Sequence, residues 1–364
     1  MKTRIPLCAV LFLVLTGQAL AQRATSPPNK LDQMPKETSI EEAGFELRNP
    51  LPPIDTSVVA FLNNNTDGTY GFYLKKVGGP VVTAYRRNYA FYPASSIKVV
   101  EHLYVMREVS RDRTTLDRQI NIWSEDDHCR NDHSGQTPER QETLSDTLRS
   151  MMKNSSNRHA NAIQEEFGRV NMNRMAHGLI EMSEDSQLHH KFGCGGPDND
   201  PANRLTLTDI GSLYEKVAQG SVLSESARET FYRMMRNETD SLFIESIIDS
   251  EADKMHLTAA TKNSFKAKVK LAFKTGTFTR SGFNYRSVAG VVSLPFGGSC
   301  RIGAAGQIQM NSYVYGVFVD RARNVADTTV SAAASELFRN TIREALKSWT
   351  DCPRVGHGPV EIPR

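Results

Sequence analysis

Strand-like runs stand at both ends of this 364-residue chain, with a long stretch of helical pattern between them. Thr69 to Lys75 and Pro80 to Arg86 flank Gly78-Gly79, which predicts a hairpin. Lys268 to Thr277, Arg286 to Leu294 and Ser312 to Asp320 alternate and are rich in valine and aromatics, again with strand texture. Residues 57–62 open the fold as a short helix or strand. From about residue 100 to 235 the spacing is helical. Val99, Val100, Leu103, Tyr104 and Met106 form one broad apolar face, and Thr143 to Met152, Asn161 to Phe167, Met172 to Met182 and Thr208 to Val217 repeat the pattern. A last helix, capped by Asp327, sets Val330, Ala334, Leu337, Phe338, Ala345 and Trp349 on one side. A chain written as strands, helices, strands and helix implies an α/β (α+β) fold. A five-stranded antiparallel sheet is built from both chain ends and flanked by helices, with an all-helical lobe inserted between.

The first 21 residues read as a secretory signal peptide. Lys2 and Arg4 are its basic start, Leu7 to Thr16 its apolar run, and Ala19-Leu20-Ala21 its cleavage site. The run is too short to span a bilayer, and Cys8 lacks the context of a lipid-anchor site. The expectation is cleavage after Ala21 and a periplasmic or secreted protein with no integral membrane segment afterwards. Residues 22–45 are polar and proline-containing, a flexible leader. Residues 46–355 carry the body of the fold, and 356–364 are a tail. Lys and Arg total 44 against 41 Asp and Glu, a balance that argues against nucleic-acid binding, which needs clustered positive charge. A monomer is expected. Cys129, Cys194, Cys300 and Cys352 make an even set in an exported chain, hence two disulfides with three possible connectivities.

Three short segments carry chemistry. In Ser95-Ser96-Ile97-Lys98 a hydroxyl and an amine lie one helical turn apart, so Lys98 can reach Ser95. A serine is a poor nucleophile until a neighbouring base takes its proton, and burial lowers a lysine toward a base's working range. The amide of Ser95 at a helix N-terminus suits a developing oxyanion. In Ser155-Ser156-Asn157 the first hydroxyl can relay a proton and the amide can hold a substrate carbonyl and the lysine. In Lys274-Thr275-Gly276-Thr277, Lys274 and Thr275 attract a carboxylate, Gly276 lets substrate backbone approach a strand edge, and the Thr277 amide completes an oxyanion hole. Each segment is weak alone; the trio is strong.

The trio resembles the Ser-x-x-Lys, Ser-Asp-Asn and Lys-Thr-Gly signature of class A β-lactamases and penicillin-binding proteins. The resemblance spans roughly residues 50–350. Asn203-Arg204-Leu205-Thr206-Leu207-Thr208-Asp209 is similar to the segment that closes the class A Ω-loop. Arg286 is similar to an arginine that assists carboxylate binding. The resemblance implies a β-lactamase/transpeptidase-like fold in which Ser95 is acylated and Lys98 is its base or relay. Ser155 would then protonate the leaving nitrogen and Asn157 orient the substrate. Lys274, Thr275 and Arg286 would bind the carboxylate, with the amides of Ser95 and Thr277 as oxyanion hole. It also puts Cys129 at the site's rim facing the Ω-loop, which pairs it with Cys194. Cys300–Cys352 is the other expected bridge, because a terminal helix returning along the last strand brings Cys352 back to the turn at Cys300.

Two positions depart from the pattern. The middle motif has Ser156 where the family has aspartate. The class A glutamate that activates deacylating water is missing, since counting back from Thr206 lands near Lys191 and no glutamate occurs between Glu184 and Glu215. Glu181 or Glu184 would need a rearranged loop to replace it; His189 or His190 is an alternative base. Asp126, Asp127, His128, Cys129, Asp132 and His133 crowd one stretch, but their spacing matches no zinc pattern, and neither metal nor cofactor is expected. The leading expectation is a β-lactamase-like serine hydrolase acylated at Ser95, slow for want of the glutamate, with a β-lactam or peptidoglycan peptide as its small-molecule partner. Alternatives are a D-alanyl-D-alanine carboxypeptidase or endopeptidase, an acylated sensing module without turnover, and a structural envelope protein.

Overall fold

The computed structural model describes residues 52–194, 202–235, 243–297 and 309–350. The expected signal peptide, leader and tail lie outside these residues, as do Cys300 and Cys352. The five-stranded sheet has the order β2-β1-β7-β6-β5. Its strands are β1 (Thr69–Lys76), β2 (Val81–Tyr85), β5 (Lys270–Arg280), β6 (Phe283–Pro295) and β7 (Met310–Ala322). Every pairing is antiparallel, so the two chain ends do share one sheet. The central strands β6 and β7 are apolar on both faces because both faces are covered. Val288, Tyr315, Val317 and Val319 join one core with the terminal helix, while Ala289, Val314 and Phe318 join the other.

Ten α-helices occur among the described residues. α1 (Thr56–Asn65) is capped by the Asp55 carboxylate, which accepts from the Ser57 and Val58 amides. A 3₁₀ turn (Ala94–Ile97) leads into α2 (Lys98–Ser110). Then come α3 (Leu144–Lys153), α4 (Asn157–Phe167), α5 (Arg169–Met175), α6 (Leu207–Ala218) and α7 (Glu225–Met235). Thr143 and Thr206 cap α3 and α6 by accepting from the amides of Asp146 and Asp209. α8 (Glu245–Lys254), α9 (Ala259–Lys266) and α10 (Thr329–Thr350) complete the set.

Three expectations need correction. The inserted lobe is not all helical, because β3 (Gln119–Ile122) and β4 (Arg140–Thr143) form a two-stranded sheet within it. Strands of four residues are too short to show against helical surroundings. The helix expected over Met172 to Met182 ends at Met175, continues as a π turn to Ile180 and stops at Glu181, whose φ is +62°. Asp327, read as a cap, lies two residues before α10, with its carboxylate 2.8 Å from Arg286 Nε.

α8 and α10 are joined through Glu251, which is fully buried and accepts from Arg339 Nη1, Arg343 Nε and Lys254 Nζ, each at 2.7 Å. Burial alone would raise this carboxyl. The bonds from Arg343, Lys254 and Arg339 outweigh it and hold the group down at about 2. Glu251→Gln should cost roughly 2–3 kcal/mol at pH 7, because one arginine then faces an amide NH2 in place of an acceptor oxygen and both lose the negative charge they pair with. A depressed carboxyl contributes stability above its ordinary pKa and loses it as pH falls toward the folded value. The difference between wild type and variant in denaturant titrations should therefore shrink between pH 4.5 and 2.

Candidate active site

The Ser-x-x-Lys segment straddles a junction: Ser95 is in the 3₁₀ turn and Lys98 opens α2, its amide donating to Ser95 O and Ser96 O. Positions three apart eclipse in a 3₁₀ turn, a geometry that favours one shared side for Ser95 and Lys98. The turn is fastened to the sheet. Ser96 Oγ donates to Lys274 O at 3.1 Å and lies 2.7 Å from Ser287 Oγ, which in turn donates to Pro93 O at 2.7 Å. Just upstream, the Tyr92 amide donates to the buried carboxylate of Asp320 at 3.0 Å. Burial pushes that carboxyl up to about 7.

All three motifs meet at Ser155. This serine sits between α3 and α4 at φ +58°, an unfavourable conformation for a side chain-bearing residue. It turns both carbonyl and hydroxyl into the site. The carbonyl accepts from Lys98 Nζ at 2.6 Å, and the hydroxyl accepts from Lys274 Nζ at 3.0 Å. Lys98 Nζ also donates to Asn157 Oδ1 at 2.7 Å, and Lys274 Nζ to Thr275 O at 2.7 Å. Both lysines are buried. Burial, then the neighbouring Lys274, lowers Lys98 to about 7; burial lowers Lys274 to about 7.

Lys274, Thr275, Gly276 and Thr277 lie on β5, the edge of the sheet. A Cβ built on Gly276 would stand 2.7 Å from Ser95 N and 2.5 Å from Pro93 O and Ser287 Oγ. Only glycine lets the strand run this close to the serine's amide. Arg286 pairs with the exposed Thr277 in register, but its guanidinium does not join the lysine network. Its Nη1 donates to Phe278 O and Tyr285 O, and Nε faces Asp327. Ser156 turns its hydroxyl away, 2.6 Å from His159 Nδ1.

The loop after residue 183 supplies the remaining wall. Its register is set by Asn161, whose Oδ1 accepts from Phe192 N at 2.7 Å and whose Nδ2 donates to Phe192 O at 2.9 Å. Phe192 thereby lays its ring 4.8 Å from Lys98 Nζ. Gly193 follows at φ +71°, where a Cβ would meet Asn157 Nδ2 at 2.7 Å. The residue against the lysine is thus Phe192, not Lys191, which is buried and donates to Glu165, Arg130 O and His128 O. Glu181 pairs with Lys216 at 2.8 Å and Glu184 is exposed. The amides of His189 and His190 donate to Asn203 Oδ1, and His190 Nδ1 donates to Lys191 O.

Cys129 and Cys194 are joined by a disulfide. His128 stands within 4.8 Å of both sulfurs, but oxidised sulfur offers no thiolate, so this cluster is not a zinc site. Sequence reasoning missed Asn161 and Phe192. The one available signal was the spacing of Asn161 four residues after Asn157, which puts both on one helix face.

A family model described as the β-lactamase enzyme family matches residues 54–342. Similar solved structures include a β-lactamase from Chitinophaga pinensis, at 16% identity and TM-score 0.55, covering 79% of this chain and 98% of that one. Another is a β-lactamase from Xanthomonas campestris, at 18% identity and TM-score 0.55, covering 81% and 96%. A mutant of PBP-A, solved as an acyl-enzyme complex with penicillin G, matches at 18% identity and TM-score 0.54, covering 80% and 100%. At these identities the likeness is one of fold. No curated protein matches the chain by sequence.

The contact at Gly276 is the most easily broken part of the site. Gly276→Ala should lower stability by about 1–3 kcal/mol through overpacking, and should displace the Ser95 amide. Thermal unfolding checks the first effect. Faster hydrogen exchange at the Ser95 amide than the stability change explains checks the second.

Proposed function

The chain belongs to the β-lactamase enzyme family, and from that premise we propose that it is an exported serine hydrolase, acylated at Ser95 by a β-lactam and slow to release it. The observation that carries this reading is Ser155, held through its carbonyl by one buried lysine and through its hydroxyl by another.

In this reading Lys98, as the free amine, takes the Ser95 proton while the serine oxygen attacks the lactam carbonyl. The amides of Ser95 and Thr277 stabilise the oxyanion. Lys274, as the cation, and Thr275 hold the substrate carboxylate against the β5 edge, where Gly276 leaves room for the substrate backbone. Asn157 holds both Lys98 and substrate. The hydroxyl of Ser155, already a partner of Lys274, passes its proton to the leaving nitrogen and takes back from Lys98 the one removed from Ser95, so that Lys98 ends as the free amine and Lys274 stays charged. A bound carboxylate raises the pKa of Lys274 and keeps it charged, leaving Lys98 as the amine that loses its proton. Acylation should therefore fall as pH drops below about 7, as Lys98 becomes protonated.

Release needs a base to activate water. The loop brings an aromatic ring to Lys98 instead of a carboxylate. The ring is also compatible with the alternative reading, a D-alanyl-D-alanine carboxypeptidase or endopeptidase, whose peptide leaving group departs and admits water or an amine.

Incubation with a β-lactam should add one whole lactam mass to the wild-type protein and none to Ser95→Ala. The adduct should persist, and Phe192→Glu should shorten its lifetime about ten-fold or more, a barrier change of about 1.4 kcal/mol. A wild-type adduct that vanishes at once with lactam turnover would refute slow release. D-alanine release from a D-alanyl-D-alanine peptide would favour the peptidase, and an adduct without any release a sensing module.

A further inference from the structure

Glu101 lies on α2 three residues after Lys98, on the same helix face, and is completely buried. Gln164 on α4 donates through Nε2 to Glu101 Oε1 at 2.7 Å. Once that bond is made, Glu101 Oε2 and Gln164 Oε1 are both buried without a partner. Two acceptor oxygens cannot satisfy each other, and each costs about 1–3 kcal/mol when left unpaired. One proton resolves both: carried on Oε2 and donated to Gln164 Oε1, it closes a cyclic acid–amide pair. We propose that Glu101 is a positioning residue held as a neutral carboxylic acid by Gln164, which denies Lys98 a counter-ion and keeps its amine free.

The charges around Glu101 agree. The cations that act on it are Lys98, on its own helix, and Arg169, at the start of α5. No ion pair joins Glu101 to either among the described residues, and Lys98 Nζ is engaged by Ser155 O and Asn157 Oδ1. His102, the next residue, is buried against Phe231 with ring centroids 4.4 Å apart. Desolvation lowers it to about 3, so it brings no charge. Lys274 reaches the pair only through Lys98, which it pushes toward the free amine. Burial raises the Glu101 carboxyl to about 8. An ionised Glu101 would oppose both burial and Lys274 by favouring the Lys98 cation; a neutral one leaves them unopposed.

The role of Glu101 rests on the proposed base function of Lys98, but its protonation can be read without activity. The infrared difference spectrum between wild type and Glu101→Gln at pH 7 should show loss of a protonated carboxyl C=O band. Gln164→Glu faces one carboxyl with another, and such a pair holds one proton, so one member ionises. That anion should move the acid limb of β-lactam acylation at Ser95 to higher pH, with about a ten-fold loss of rate below the limb for each unit moved. Absence of the band, or an acid limb that moves to lower pH in Glu101→Gln, would overturn the proposal. If Ser95 is never acylated while the band is present, the functional reading fails and the acid–amide pair stands.

Discussion

Two buried lysines share one serine, and most of the surrounding structure follows from what that costs. Each ammonium disfavours the other, as the push of Lys274 on Lys98 shows, and desolvation adds to this for each ammonium. The site therefore cannot hold two full charges comfortably at neutral pH. A free amine beside a cation is the pairing that acyl transfer from a carboxylate-bearing substrate requires. The positive φ of Ser155 makes the sharing possible: an extended serine could not aim its carbonyl at one lysine and its hydroxyl at the other.

The fold makes this arrangement by bringing together segments far apart in sequence. Lys98 comes from the start of the helical stretch, Ser155 from a turn within it, and Lys274 from a strand in the second half of the sheet. Hydrogen bonds from Ser96 and Ser287, and from the Tyr92 amide to Asp320, fix the 3₁₀ turn and its approach to the sheet without using either lysine's ammonium. Support therefore comes from neutral hydroxyls and backbone groups, while the charged groups are left to the chemistry.

Much of this was legible in the sequence. The sheet from both chain ends could be read because strand alternation and helical spacing are local signals, and the three motifs because each is a few contiguous residues. The misplaced features depend on contacts that no local pattern encodes. Counting along the loop gave Lys191, one residue short of Phe192, because the register is set by two hydrogen bonds from Asn161 on another helix. Arg286, expected to assist carboxylate binding, falls in register with Thr277, yet its guanidinium is drawn off by Phe278 O, Tyr285 O and Asp327. Glu101 reads as one charge on a helix; its complete burial appears only once α4 is packed against α2.

The position of Phe192 is over-determined. Asn161 holds its backbone, Gly193 beside it is packed on Asn157, and Cys194 two residues on is tied to Cys129. Asn203 and Asp209 secure the segment before it through the amides of His189 and Ser183. A surface that needed a mobile loop would not be tied down so many times. The ring is thus held over Lys98, and in the proposed mechanism attack by Ser95 rests on the 3₁₀ turn, Ser155 and β5, whereas release rests on the loop. The loop touches Lys98 through Phe192 and Asn157 through Gly193, so in the proposed mechanism a change at Phe192 bears on release while Ser95, Ser155 and the β5 edge stay in place.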